Sequence, residues 1–488
     1  MRWLLPVTCT LLLALPASAQ KMERVTILHF TDYHSHAVPF FADGEKNVGG
    51  IARAIGYLKP LAKNPDTLVL SGGDMMNKGA PAWSDKFGCT EWGWLDGTVS
   101  AMALGNHDAD YGNEAFAKCR AATKIPILSA NVLGADGKNA FPAYAVFTRG
   151  GVKIGVFAVA GPDFDALIKP AISPVPSIKF TDRIEAARNA VKALREKEKV
   201  NAVVLIGHEQ RDADLQLATR VPGIDLILGT HAHVQRDLSK IPSTGTWTIA
   251  AAPYLASISR LELSFRDGVL EKVTGSPVRM SPGLPEDPEI AARVKTMQAE
   301  LQADPRYAPL YVRIARLETG LSVESSTTQN SPFGALVAEA MRAAGGADVG
   351  ITTASSIREP LPSGAIVEEQ LRAALPYPNR ILTYELKGDL LGRILDASAA
   401  RKGTDVFLQT AGVTLRADGG RALDVKISGK PLDPRGTYHI ATTDYLALVA
   451  EPYRTLLAGL APHHTQLEVR TQVRTALSKL GSGAGGTQ

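Results

Sequence analysis

Gly105-Asn106-His107-Asp108-Ala109-Asp110 places an amide, an imidazole and two carboxylates within one turn of chain. Gly105 lets the backbone bend sharply after the mostly apolar run 99–104. If a helix begins here, His107 and Asp110 share a face, and the carboxylate can fix the tautomer and orientation of the imidazole. Asn106 points elsewhere and is left to ligate a metal. Taken alone, the hexapeptide also fits an Asn/Asp helix cap with an incidental histidine. Four other stretches bear on the choice.

The strand predicted over 24–30 runs into Thr31-Asp32-Tyr33-His34, and an aspartate and a histidine two apart at a strand's end project to one side, as two ligands of one ion would. His36 repeats that spacing, and a supporting or solvent-facing role is expected for it. The apolar strand 66–70 ends in Ser71-Gly72-Gly73-Asp74, where glycines permit a tight bend that exposes the carboxylate at the sheet edge; an ordinary turn is the alternative. Strand 202–206 ends in Gly207-His208-Glu209, and strand 224–228 in Gly229-Thr230-His231-Ala232-His233.

The ligand set is therefore Asp32, His34, Asp74, Asn106, His208, His231 and His233. It exceeds one tetrahedral ion and suits two divalent ions if one carboxylate bridges. No thiolate is present, which excludes a cysteine-type structural zinc site. Mixed nitrogen and oxygen donors favour Mn, Zn, Co or Fe and argue against calcium. Two dications, two aspartates and one hydroxide sum to about +1, a charge that attracts a phosphate ester, and ions roughly 3.5–4 Å apart can activate water and clamp phosphoryl oxygens. His107, off the metals, is placed to stabilise or protonate the departing oxygen.

These strand ends need an alternating α/β frame, with helices expected over 50–61, 182–197 and 212–219 and further strands over 125–130 and 153–160. The 488 residues predict two or three domains, and 45% apolar with 21% charged residues is ordinary for a globular chain. A net charge of +4 from 53 basic and 49 acidic residues gives no argument for nucleic acid or a membrane surface. Arg2, the apolar run 4–15 and Ala17-Ser18-Ala19 predict a cleavable signal over 1–19, hence a periplasmic or secreted protein with no membrane association afterwards; an uncleaved anchor is the alternative. Cleavage removes Cys9 and leaves Cys89 and Cys119, an even pair expected to form a disulfide around the glycine turn and to add about 3 kcal/mol. The segment 267–287 reads as the end of the first domain, and a helix over 288–302 carries Ile290, Val294, Met297 and Leu301 on one face.

The ordered blocks D-x-H, G-G-D, G-N-H-D, G-H and G-T-H-A-H resemble the calcineurin-like metallophosphoesterase pattern. The run Gly-Asn-His-Asp-Ala-Asp-Tyr-Gly, Ser129-Ala130-Asn131 and Pro253-Tyr254 resemble its bacterial periplasmic or secreted 5'-nucleotidase branch. The resemblance implies one metal on Asp32, His34, Asp74 and His233, another on Asp74, Asn106, His208 and His231, and a catalytic His107–Asp110 dyad. It implies an α/β fold: a metallophosphoesterase β-sandwich flanked by helices (αββα) over 22–280, a connecting helix and linker over 281–312, a C-terminal α/β 5'-nucleotidase substrate-binding domain over 313–480, and a tail over 481–488. In that second domain Tyr377 and Tyr445 match the rings that stack on a base, Arg358 a phosphate-binding arginine, and Asn379 the asparagine of P-F-G-N. The glycine loop N-G-G-G-I-R reads Thr353-Ala354-Ser355-Ser356-Ile357-Arg358, and G-G-D-G-Y reads Val449-Ala450-Glu451-Pro452-Tyr453. The substrate loops thus depart from the pattern while the metal blocks keep it.

The expected function is a secreted two-metal phosphohydrolase that releases phosphate from nucleoside 5'-monophosphates or related nucleotides by attack of hydroxide held at the metals. Opening and closing of the two domains about the connecting helix is a further expectation. Alternatives on the same site are a 2',3'-cyclic nucleotide phosphodiesterase, a UDP-sugar hydrolase and, more distantly, a sulfur-ester hydrolase. Outside enzymes, an extracytoplasmic metal-dependent binding protein is the rival, against which the off-metal dyad argues.

Overall fold

The computed structural model describes residues 21–134, 136–162, 164 and 178–482; the expected signal segment lies outside the described residues. Two six-stranded sheets form the first unit. One runs in the order Val269–Arg279, Ser257–Arg266, Met22–Phe30, Thr67–Ser71, Ala101–Ala103, Ile127–Leu128. The other runs Arg236–Lys240, Trp247–Ala250, Leu226–Gly229, Ala202–Leu205, Val152–Phe157, Tyr144–Arg149. In each sheet four neighbouring strands are parallel. Their carboxyl ends therefore fall on one edge, which is where ligands gather in α/β sheets.

Period-two alternation explains the layering. Ala202 and Val204 face inward with Val25, Ile27, Leu68 and Leu70, forming the core between the sheets. Val203 and Leu205 face outward and pack with Ile184, Ala187 and Leu217 of the helices Arg183–Lys192 and Arg211–Arg220. On the first sheet, Leu28, Phe30 and Val69 meet Ile51 and Ile55 of Ile51–Ala62. The result is the expected αββα sandwich. The helix expected over 182–197 is α-helical to Lys192 and continues as a π turn over Ala193–Lys197.

The segment 267–287 is more than a domain end. Asp267 and Gly268, at φ 49° and 78°, make a two-residue turn that returns the chain as the eleven-residue edge strand Val269–Arg279. Asp287 then caps the helix Pro288–Ala303 by accepting from the amides of Glu289 and Ile290. Ile290, Val294 and Leu301 of that helix join the first unit's core.

The second unit is a five-stranded sheet ordered Leu408–Ala411, Val349–Thr353, Thr437–Thr443, Arg380–Lys387, His463–Glu468. Helices Pro332–Ala344 and Val469–Ser482 cover one face through Phe333, Met341, Val473 and Leu477. Gly388–Ala399 covers the other through Leu391, Ile394 and Leu395. The last helix extends to Ser482, into the stretch expected as a tail. Among the described residues no helix is long and apolar enough to cross a membrane.

Cys89 and Cys119 are joined by a disulfide with Cα atoms 5.6 Å apart and a sequence separation of 30, enclosing the turn 105–110. Opening this bridge, by Cys89→Ser with Cys119→Ser, is expected to lower the urea-unfolding free energy of the first unit by about 3 kcal/mol. Denatured but unreduced protein is expected to yield no thiol from either residue in a thiol titration.

Candidate metal centre

Six loops leave the carboxyl edges of the parallel strands and converge. Five of the seven candidate ligands sit at left-handed backbone: Asp32 at φ 51°, His34 at 46°, Asp74 at 51°, His231 at 58° and His233 at 55°. Non-glycine residues avoid this region, and when it recurs in one place the surrounding structure is enforcing it. The alternation of Asp32 and His34 in sequence suggests strand geometry, but both residues lie beyond Phe30, and turn geometry sets their common side instead. The loops brace each other through backbone: the amides of Asp32 and His34 donate to Gly73 and Asp74 carbonyls at 3.0 and 2.9 Å, and the Tyr254 amide donates to the Asp32 carbonyl at 2.7 Å. A Cβ on Gly105 would collide with the backbone and carboxylate of Asp74, so only glycine lets these two loops touch.

The side chains fall into two ligand clusters, Asp32, His34, Asp74 and His233, and Asp74, His208 and His231, each with donor atoms within 4.8 Å of one another. Asp74 Oδ2 lies 3.0 Å from His208 Nε2 and 3.4 Å from His34 Nε2. The ring nitrogens of His34 and His233 stand 3.0 Å apart, and Asp32 Oδ1 is 3.3 Å from His233 Nε2. Asp32 Oδ1 and Asn106 Oδ1 are buried without a well-aligned hydrogen bond. Buried lone pairs that converge without donors are costly unless a cation compensates them, so the donor set fits divalent metal ions. Burial holds the rings of His34 and His233 neutral, His233 down to about 4 with help from Arg358, which is the form that ligates. His208 goes the other way: burial works against its charge, but Asp74 and Asp32 push it up to about 10.

His107 belongs to neither cluster. Its Nδ1 is 2.8 Å from Asp110 Oδ2, and its own amide donates to Asp74 Oδ1 at 2.8 Å. The expected helix start is a short 3₁₀ turn over His107–Ala109, which still brings the pair together. Burial opposes the His107 charge, yet the carboxylates of Asp74 and Asp110 raise it to about 9. Asp108 serves the backbone instead, its two oxygens accepting from the amides of Met75 and Gly105 at 2.7 and 2.8 Å and so binding the two metal loops together.

The second unit reaches this edge. Arg358 and Tyr377 line a small cavity of about 80 Å³ with His34, His107, Asp110 and His233. Arg358 Nε donates to the Tyr377 hydroxyl at 3.1 Å, and its guanidinium stands 5.4 Å from the ring centroid. Neither Tyr445 nor Asn379 lines that cavity among the described residues. Tyr445 is half-buried, and the Asn379 carbonyl accepts from the Val469 amide at 2.9 Å. The altered loop 354–356 has no positive φ, and the hydroxyls of Ser355 and Ser356 each lie 2.9 Å from Thr353 Oγ1, so the turn is built for residues with side chains. In the other altered loop Tyr453 is fully buried, donating to the Val406 carbonyl at 2.8 Å, and is structural.

Sequence reasoning missed two participants. Tyr254, at φ 62°, has its hydroxyl 3.1 Å from His233 Nδ1. Glu359 reaches His36, whose side chain is 5% exposed, at 2.7 Å. The spacing of His36 and the Pro253-Tyr254 pair are visible in the sequence, but their partners lie too far along the chain for spacing to reveal.

Residues 25–235 match the calcineurin-like phosphoesterase family, and 313–457 match the 5'-nucleotidase C-terminal domain. Protein UshA of Yersinia enterocolitica is 26% identical, over 89% of this chain and 87% of its own. The crystal structure of a 5'-nucleotidase precursor from Thermus thermophilus superposes with TM-score 0.71 at 25% identity, covering 94% of this chain and 97% of that one. A sulfate thiohydrolase SoxB from the same genus superposes with TM-score 0.70 at 22% identity over 94% of each chain, a likeness of fold.

The carboxylates of Asp74 and Asp32 favour a protonated His208, and a cation ligated there would displace that proton. Apparent affinity for at least one Mn²⁺ is therefore expected to rise about tenfold per pH unit between about pH 6 and pH 8. Titration calorimetry in two buffers of different ionisation enthalpy checks this through proton release, and a pH-independent affinity would contradict it.

Proposed function

We propose that this chain, a member of the calcineurin-like phosphoesterases that carry a 5'-nucleotidase C-terminal domain and a metal-dependent nucleotide phosphohydrolase, is exported, holds two divalent ions, and releases phosphate from nucleoside 5'-monophosphates or closely related nucleotides. The observation that carries the reading is the pairing of two ligand clusters through Asp74 with a His107–Asp110 pair that stands apart from both. Asp32, His34, Asp74 and His233 would hold one ion, and Asp74, Asn106, His208 and His231 the other, with Mn, Zn, Co or Fe suited to the donors. When bound, the ions supply activated water and charge neutralisation at phosphorus.

The chain's own groups supply the rest. Asp110 accepts from His107 Nδ1, which leaves Nε2 to face the oxygen that departs from phosphorus and to hand it a proton. The neighbouring Asp74 and Asp110 keep that proton in place at neutral pH. Arg358, from the second unit, offers a guanidinium to the phosphate across the cavity, with Tyr377 behind it as one flat surface for a base. Tyr445 and Asn379, which lie outside the lining of that cavity, are proposed for the nucleoside only by their match to the family pattern. Export is supported by Arg2, the apolar run 4–15 and Ala17-Ser18-Ala19, and domain limits near 280 and 313 follow the ends of the two sheet systems.

His107→Ala is expected to lower kcat for phosphate release by about 10²-fold or more while the protein keeps its bound ions; an unchanged rate would remove the dyad from the mechanism. A phosphate-release panel on metal-loaded protein tests the substrate. AMP and UMP are expected to exceed a 2',3'-cyclic nucleotide, a UDP-sugar and an aryl phosphate, and turnover of the aryl ester without nucleotide turnover would overturn the nucleotide assignment.

A further inference from the structure

The two units meet at a buried polar contact beside the metal centre. Glu359 follows Arg358 in the second unit, and its Oε1 lies 2.7 Å from Nε2 of His36 in the first. His36 Nδ1 is 2.9 Å from the His34 carbonyl oxygen and 3.1 Å from that of Tyr33. Carbonyl oxygens only accept, so Nδ1 carries its hydrogen and the ring is fixed at both ends. One end is tied to the backbone of a candidate ligand, the other to the opposite unit.

The ring of His36 also stacks on Tyr254, with centroids 4.1 Å apart and planes inclined by 25°. The Tyr254 hydroxyl is 3.1 Å from His233 Nδ1, and its amide donates to the Asp32 carbonyl. If His233 ligates through Nε2, its Nδ1 hydrogen points at this hydroxyl, and such outer partners fix a ligand's tautomer and ring orientation. Contacts that start at Glu359 therefore arrive at His34, Asp32 and His233, three ligands of the first cluster.

We propose that Glu359, His36 and Tyr254 form a contact relay through which the seated second unit positions the first ion's ligands, above all His233. These act here as positioning residues: Glu359 works through His36, and His36 and Tyr254 contact the ligands, while all three also border the cavity. The inference rests on the two-ion reading of the site. Its consequence is that the second unit, besides holding substrate, sets how tightly one of the two ions is held.

Full-length metal-free protein titrated with Mn²⁺, followed by electron paramagnetic resonance, tests this with thermal melting as the check on folding. Glu359→Ala and Tyr254→Phe are each expected to weaken the same one of the two binding steps by about tenfold and leave the other step unchanged. Glu359→Gln, which can still hydrogen-bond His36, is expected to restore wild-type affinity. In a His233→Ala background Glu359→Ala is expected to add nothing. Two steps of wild-type affinity in Glu359→Ala would overturn the relay alone, and so would equal weakening of both steps. Wild-type protein that takes up no Mn²⁺ would remove the two-ion reading and the relay with it.

Discussion

Asp74 is the constraint on which the first unit depends. One of its oxygens stands within 3.4 Å of imidazoles from both ligand clusters, and its other oxygen accepts from the amide of His107. A carboxylate that is 1% exposed is expensive to ionise without opposite charge or donors, yet the surrounding imidazoles hold it well below the usual carboxylate range. The carboxylate thus joins the two clusters and seats the turn that carries the dyad. Displacing it would disturb both ligand clusters and the His107–Asp110 pair together.

That placement makes demands on the backbone. The donor atoms can converge only if their loops approach more closely than side chains ordinarily allow, which explains the glycines at 72, 73 and 105 and the left-handed aspartates and histidines around them. Such conformations cost of order 1–3 kcal/mol each, so the sandwich beneath must over-determine them. Two interdigitated sheet faces with Ile27, Leu70, Val204 and Leu228 fully buried provide a rigid base. Asp108 and the disulfide then restrain the loop that the sheets do not reach.

What the sequence reveals follows from how narrowly each role limits residue type. A metal ligand must present a particular lone pair, so Asp32, His34, Asp74, Asn106, His208, His231 and His233 stand out as polar groups ending apolar strands. The dyad is visible because its members are three residues apart. The Asp267-Gly268 turn is equally local, yet the glycine, proline and charge around it have the look of a linker; the two-residue spacing between alternating runs is the better signal. Glu359 and Tyr254 are hidden for another reason. Their partners, His36 and His233, are 323 and 21 positions away, and nothing in a lone glutamate or tyrosine says what it will face.

The same reasoning separates the two halves of the site. A base needs only a flat apolar surface, which tyrosine, phenylalanine or an arginine plane can each offer, and a phosphate needs only some donor of positive charge. Many residue types therefore serve equally well, and the loops that present them are free to change. Here that freedom has been used: serines occupy the 354–356 turn in ordinary negative-φ geometry, and a buried tyrosine anchors 449–453. Candidate donors in the first unit are limited to residue types that present a metal-binding lone pair, whereas the sheet and helices of the second unit place no such limit on its loops. The candidate ligands are thus held by the sandwich, whereas the loops of the second unit that border the cavity answer to the unit they pack against.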